Sequence, residues 1–200
     1  MDQQCRWQPN PERTPEPPSN GGAPELPGWL AERMFDQRVV MLRGSLTGAV
    51  ATQAAAALLT LDAMGAEPVQ LHLACPDGDL AAAFAVIDAI DAMRSPVYAV
   101  VTSQVGGAAV AVLASADRRT AYPHARVRLT EPRAAGLTGT ADEVAAAAGQ
   151  HLRELEEVIV RVTDVTGQPR SRVEDDLSIG RNLTAAEARD YGLIQSVVGD

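Results

Sequence analysis

Gly180-Arg-Asn-Leu-Thr-Ala-Ala-Glu-Ala-Arg-Asp-Tyr-Gly-Leu-Ile194 is the stretch on which the reading of the fold turns. Thr184 and Glu187 stand three apart, the spacing of a capping box: the hydroxyl accepts from the helix backbone and the carboxylate reaches back. Gly192 stops the helix that this box starts. Leu193-Ile-Gln-Ser-Val-Val198 then closes as a strand. A helix that passes into a strand across a single glycine is a fragment of an α/β domain.

The same alternation runs upstream. Trp29 to Phe35 suits a short helix, and Arg38-Val-Val-Met-Leu42 a strand ended by Gly44. Thr47 caps a helix from about Gly48 to Met64. Val69-Gln-Leu-His-Leu-Ala74 alternates as a strand, and Pro76-Asp-Gly-Asp79 is a turn. Leu80 to Met93 carries Leu80, Phe84, Ile87 and Ile90 on one helical face. Val97 to Val101 is a buried strand, Gly106 to Ala114 a helix entered through glycines, and Arg126 to Thr130 another strand. Such repeated alternation with short connections demands parallel strands and right-handed crossovers, so the class is α/β.

One long helix follows, about Asp142 to Val165. Val144, Ala148, Leu152, Leu155, Ile159 and Val162 step by three or four and make an apolar stripe on an otherwise charged cylinder. A stripe of that length can pack on its own domain or on another subunit. Gly167-Gln-Pro169 ends the helix, and Arg170 to Asp176 forms a short one.

Two hundred residues suit one domain plus a tail. Residues 1–27 hold seven of the prolines, which block both helix and central strand, and read as a disordered arm with the domain at 28–200. Trp7 is the one aromatic anchor there and supports a docking motif as the alternative. A net charge of −9 excludes a nucleic-acid surface or an anionic membrane surface as the main partner. Cys5 and Cys75 make no disulfide framework, and no run is apolar and long enough to span a bilayer. The expected compartment is the cytoplasm.

Five pieces in this order resemble the proteolytic subunit of the Clp proteases, over about Trp29 to Val198. They are Arg38-Val-Val-Met-Leu-Arg-Gly44, Cys75-Pro-Asp-Gly-Asp79, Gln104 to Ala114, Tyr122-Pro-His-Ala-Arg126, and Thr166-Gly-Gln-Pro169 with Thr184 to Ile194. The resemblance implies a spiral of ββα units, shared with the crotonases, and rings of seven subunits. The long helix becomes a handle that packs across rings through Leu152, Leu155, Ile159 and Val162.

The resemblance also implies where a Ser-His-Asp triad would stand, and this chain differs at each place. Gly107 holds the serine position, or Val105 if the alignment slips by two. Thr130 holds the histidine position and Gly180 the aspartate position. The oxyanion-hole-like positions are Asp77, Gly78 and Ala108, and the carboxylates of Asp77 and Asp79 oppose the negative charge that acyl transfer develops there. Ser178 and Ile179 replace an acid–arginine pair that links ring contact to the active site in the family. The Pro-rich arm replaces the axial loop that meets the unfoldase.

The expectation is therefore a catalytically inactive ring subunit, with Clp paralogues as partners, unfoldase docking lost or changed, and no cofactor or metal. A crotonase-like acyl-ligand enzyme or binder using Asp77, Asp79 and Glu131 is the alternative, with residual serine peptidase activity the third reading. Ser103 and Ser115 flank the glycine loop without a placed base, and His72, His124 and His151 read as structural or surface groups. Gly106-Gly107 before a helix is a weak anion-binding signal.

Overall fold

The computed structural model describes residues 26–132 and 138–200. The arm expected at 1–27 falls, up to residue 25, outside the described residues. The elements run α1 (Gly28–Asp36), β1 (Val39–Arg43), α2 (Gly48–Met64), β2 (Val69–Ala74), α3 (Leu80–Ala92), β3 (Val97–Val101) and β4 (Gln104–Gly106). They continue with α4 (Ala109–Ala114), β5 (Arg118–Ala121), β6 (Arg126–Leu129), α5 (Ala141–Thr166), α6 (Arg170–Ile179), β7 (Arg181–Thr184), α7 (Ala185–Tyr191) and β8 (Ser196–Val197).

Two sheets share these strands. The larger has the order β1-β2-β3-β5-β8 and every pair in it is parallel. The smaller has the order β4-β6-β7, with β4 parallel and β7 antiparallel to β6. The chain alternates between them: β3 in the large sheet leads to β4 in the small one and then α4. β5, β6 and α5 repeat the pattern. These are ββα units, as the α/β reading of the sequence requires.

The core follows from alternation along the strands. Val40, Leu42, Leu71, Leu73, Val97, Ala99 and Val101 point inward and are buried, while their strand neighbours are half-buried or exposed. Helix α2 offers Ala51, Ala54, Leu58 and Leu61, and α3 offers Ala82, Ala83, Val86 and Ile87. Small alanines let the two helices approach each other and the sheet closely. Thr47 caps α2 by accepting from the Val50 amide, and both α5 and α7 begin with complete capping boxes, at Thr140/Glu143 and Thr184/Glu187.

Helix α5 is rooted at one end only. No residue before Val158 is buried, and ahead of it Leu155 packs partly on the core and Glu156 pairs with Arg170 of α6, so Ala141 to about Glu154 projects as about 20 Å of helix. The root is held by Val158, Ile159 and Val162 in the core and by Arg161. Its guanidinium donates to both Asp91 oxygens, at 3.2 and 2.8 Å, and to Ser115 Oγ at 3.0 Å. This corrects the expected assembly stripe. Ile159 and Val162 are 7% and 0% exposed within the single chain, and Leu155 packs partly against the same core. Leu152, at 64% exposed, is the one member of that set free for a neighbour. The physical reason is that the stripe winds onto α3 and α4 in its C-terminal half, where a helix continues the core, and leaves them in its N-terminal half.

Candidate functional site

The small sheet gathers the residues that matter. In the β4–β6 ladder Gly106 pairs with Arg128, and in the β6–β7 ladder Leu129 pairs with Arg181. Gly107, Thr130 and Gly180 therefore leave the sheet at the same end, one step past their last paired residues. The β7 strand that brings Gly180 there had no signal in the sequence reading: Arg-Asn-Leu-Thr is short and polar, and only pairing with β6 makes it a strand. The expected start of α4 also moves, from Gly106 to Ala109, because Gln104–Gly106 is claimed by the ladder to β6.

Gly107 sits on the turn between β4 and α4 with φ +54°. A Cβ added there would meet only the Asp77 Cα at 3.6 Å and the Gly78 amide nitrogen at 3.9 Å. Space for a side chain exists, but the left-handed backbone strains any L-residue other than glycine. Gly180 caps α6 with φ +75°, and a Cβ there would lie 3.1 Å from Thr130 Cγ2. Thr130 and Gly180 are thus in contact, while Gly107 faces the loop Cys75–Gly78.

That loop is pinned on both sides. Leu46 and Gly78 form a bridge, with the Leu46 amide donating to the Asp77 carbonyl and the Asp79 amide donating to the Leu46 carbonyl, both at 3.0 Å. The Gly106 amide donates to the Cys75 carbonyl at 2.9 Å, and a Cβ on Gly106 would run into the Pro76 carbonyl oxygen. Asp77 and Gly78 lie in this loop, and Ala108 follows Gly107 on the turn that faces it. The side chains of Asp77 and Asp79 are exposed.

What can this arrangement do? Gly107 and Gly180 have no side-chain group to offer, and the Thr130 hydroxyl does not titrate near neutrality, so it cannot serve as a general base. Cys75 is fully buried, and its thiol is pushed up to about 11 by burial, with the charge of Asp77 adding to the shift. It stays protonated at neutral pH and is no nucleophile. Ser115 is occupied: its hydroxyl donates to the Ala111 carbonyl at 2.8 Å and accepts from Arg161. Ser103 is exposed at the join of β3 and β4, where its carbonyl accepts from the Arg126 amide at 2.7 Å. His72 lies in β2 and His151 in α5, both half-buried, and His124 is exposed between β5 and β6. Among the described residues no group of three or more His, Cys, Asp and Glu side chains converges as a metal site.

A cluster that the sequence did not announce stands behind Gly180. The buried Asp176 carboxylate accepts from Arg181 Nη1 at 3.1 Å on each oxygen. Arg172 and Arg181 both lie over the ring of Tyr191, at 5.4 and 5.7 Å from its centre. Burial, and then the Asp176 carboxylate, push the Tyr191 phenol well above its ordinary value. Gln168 Nε2 donates to the Tyr191 carbonyl at 3.0 Å. The cluster ties α6, β7 and α7 together beneath the cleft. Its members run from Gln168 to Tyr191, and of these only Arg172 and Asp176, four apart on α6, are joined by a local spacing rule.

Comparison with known proteins fits this geometry. The sequence model of the Clp protease family matches residues 29–200. The chain belongs to the Clp protease family. Among its Clp relatives is the ATP-dependent Clp protease proteolytic subunit 1 of Chlamydia caviae, 31% identical over 90% of this chain and 96% of that protein. The ATP-dependent Clp protease proteolytic subunit of Ostreococcus tauri is 33% identical, over 86% and 88%. Proteolytic subunit 1 of Mycobacterium bovis is 28% identical, over 90% and 91%. Among the described residues no helix is long and apolar enough to cross a membrane.

Proposed function

We propose that this chain is a non-hydrolysing subunit of a Clp-type ring assembly, a cytoplasmic pseudo-peptidase that acts by assembly with copies of itself or with active paralogues. The observation that carries the reading is the end of the small sheet, where Gly107, Thr130 and Gly180 meet the Cys75–Gly78 loop and supply no hydroxyl–imidazole–carboxylate relay. Peptide hydrolysis by this route needs a nucleophile activated by a base that is itself oriented. Removing such a relay costs about six orders of magnitude in rate, and the residue left comes from the oxyanion donors alone. Here Asp77 and Asp79 bring carboxylates to those donors as well, which disfavours the developing oxyanion further.

Support for assembly comes from α5. A helix that projects about 20 Å with Leu152 at its flank, and whose buried anchors all lie from Val158 onward, leaves apolar surface that a neighbour would cover. Ile179, 74% exposed beside Gly180, adds an apolar contact where a charge pair would otherwise couple ring contact to the cleft.

The test uses the purified full chain. A fluorophosphonate probe labels no serine and a fluorogenic peptide is not cleaved above the buffer rate, while sedimentation shows a particle larger than the protomer, alone or with an active Clp subunit. Hydrolysis abolished by a substitution within the cleft would overturn the non-hydrolysing reading. A protomer in every mixture would overturn the assembly reading.

A further inference from the structure

The small sheet leaves one face partly open. Its ladders set Gln104, Arg126 and Thr184 in one row and Gly106, Arg128 and Asn182 in another. The row between them, Val105, Val127 and Leu183, is buried. Side chains alternate along a strand, so the two outer rows share the opposite face. Arg126, Arg128 and Asn182 are exposed there, and Thr130 and Gly180 continue the face two positions beyond Arg128 and Asn182. The Cys75–Gly78 loop adjoins the β4 edge: a Cβ on Gly106 would strike the Pro76 carbonyl oxygen and lie 3.4 Å from Arg128 Cβ.

This face is cationic on a chain whose net charge is −9. None of its positions is an aspartate or glutamate. On the adjoining elements, Glu187 of α7 is engaged by the Thr184 cap, and the charge of Arg126 helps to keep it ionised. Arg126 is further committed through Nη1, which donates to the Ala125 carbonyl at 3.1 Å. Arg128 differs. Among the described residues its side chain makes no hydrogen bond or ion pair, with Asp77 and Asp79 of the adjoining loop included. It is a cation held on a strand, beside Asn182, with nothing in the protomer to neutralise it.

We propose that this face binds an extended acidic peptide segment, laid along β6 with its carboxylates on Arg128 and Arg126. The two arginines stand two apart on one strand, about 7 Å, which is the repeat of alternate side chains on an extended peptide. Arginine takes a carboxylate through paired N–H donors, so the recognition is directional as well as electrostatic. Size favours a short segment over a folded partner. Three strands of three or four residues span about 10 by about 13 Å, far below the roughly 800 Å² that each side of a stable protein interface contributes. The exposed carboxylates of Asp77 and Asp79 on the adjoining loop repel a continuous polyanion, so a nucleic-acid strand fits the site less well than a peptide with separated acidic residues. The inference goes beyond the ring-subunit reading and stands without it, because the face belongs to a single protomer.

Fluorescence anisotropy of the full chain at low ionic strength tests this with a dye-labelled, threonine-rich peptide carrying glutamate at two alternate positions. Its counterparts carry glutamine or lysine there. The glutamate peptide binds, and replacing each glutamate by glutamine weakens binding by about fivefold, the worth of one exposed ion pair. Arg128→Gln loses about the same factor for the glutamate peptide and nothing for the glutamine peptide. Arg128→Glu reverses the preference toward the lysine peptide, with the circular dichroism of the folded chain unchanged. Arg94→Gln, ahead of β3, retains wild-type binding. Equal affinity for the glutamate and glutamine peptides, a comparison that needs no protein variant, overturns the proposal. So does a preference untouched by Arg128→Gln. A single-stranded oligonucleotide that displaces the peptide overturns the peptide as occupant. A particle that loses subunits on Arg128→Glu while no peptide binds assigns the face to a second copy and overturns it too. A glutamate peptide that binds and is then cut supports the proposal and overturns the non-hydrolysing reading. Binding by a chain that sediments only as a protomer supports the proposal and removes the assembly reading.

Discussion

Truncating α5 one side chain at a time separates what folds the protomer from what joins protomers. Leu152 is 64% exposed in the single chain, so Leu152→Ala removes little from the core and leaves protomer stability within about 0.5 kcal/mol. Full burial of a leucine is worth about 2 kcal/mol, and roughly two thirds of that remains to be gained when a neighbour covers it. Each α5 contact then weakens by about 1 kcal/mol, and a two-fold contact that uses the residue twice weakens by about 2 kcal/mol, roughly thirtyfold in dissociation constant. Ile159→Ala behaves in the opposite way: at 7% exposure it opens a cavity costing about 2–4 kcal/mol in the protomer itself. Urea unfolding at a concentration low enough to keep protomers apart reads the first quantity, and sedimentation across a concentration series reads the second. Equal loss of protomer stability in the two variants would refute the division of the helix into a root and a projecting half. So would an unchanged dissociation constant for Leu152→Ala, since no neighbour then touches the projecting half at that residue.

Three other perturbations follow from the site and its supports. Gly107→Ala strains the left-handed turn and costs about 1–2 kcal/mol, whereas Gly106→Ala, which drives a methyl into the Pro76 carbonyl, costs more, and urea midpoints of the two variants order them. Asp176→Asn leaves Arg181 without its carboxylate beneath the cleft and destabilises the protomer by about 2–3 kcal/mol, read by thermal melting. Because the Arg181 side chain is 36% exposed, water recovers part of the loss. Glu187 titrates below the usual glutamate range, chiefly because it accepts from the Thr184 amide and then from the Thr184 hydroxyl. Its folded value is depressed, so its contribution is present above the unfolded glutamate value and is lost as pH falls through the folded one. Carboxyl NMR titration of Thr184→Ala places Glu187 nearer its ordinary value, and that variant also loses about 1 kcal/mol with the cap.

Helix boundaries were readable where one side chain fixes them. Thr47, Thr184 and Gly192 mark ends that the structure keeps, and α2 spans the expected Gly48–Met64 because Thr47 accepts from the backbone as an N-cap must. Two short strands, one in each sheet, were not readable in the same way. Arg118–Ala121 and Arg181–Thr184 are too short and too polar to signal a strand, and they exist through partners far along the chain. The long stripe on α5 was visible, but which half of it the protomer covers depends on where α3 and α4 lie, and periodicity holds no such information. Gly107, Thr130 and Gly180 were singled out through the family resemblance, and the ladders bring them to one end of the small sheet. The contact between Thr130 and Gly180, and the Asp176–Arg181–Tyr191 cluster beneath, come from tertiary closure.

The 3.1 Å approach of a would-be Gly180 Cβ to the Thr130 methyl has a historical consequence. A side chain entering at 107 finds room but a left-handed backbone, whereas one entering at 180 meets both a left-handed backbone and the branched threonine. Over the history of the sequence, a residue other than glycine at 180 is therefore compatible only with 130 exchanged together with it or ahead of it. The two sites are epistatic, and the third is independent of them.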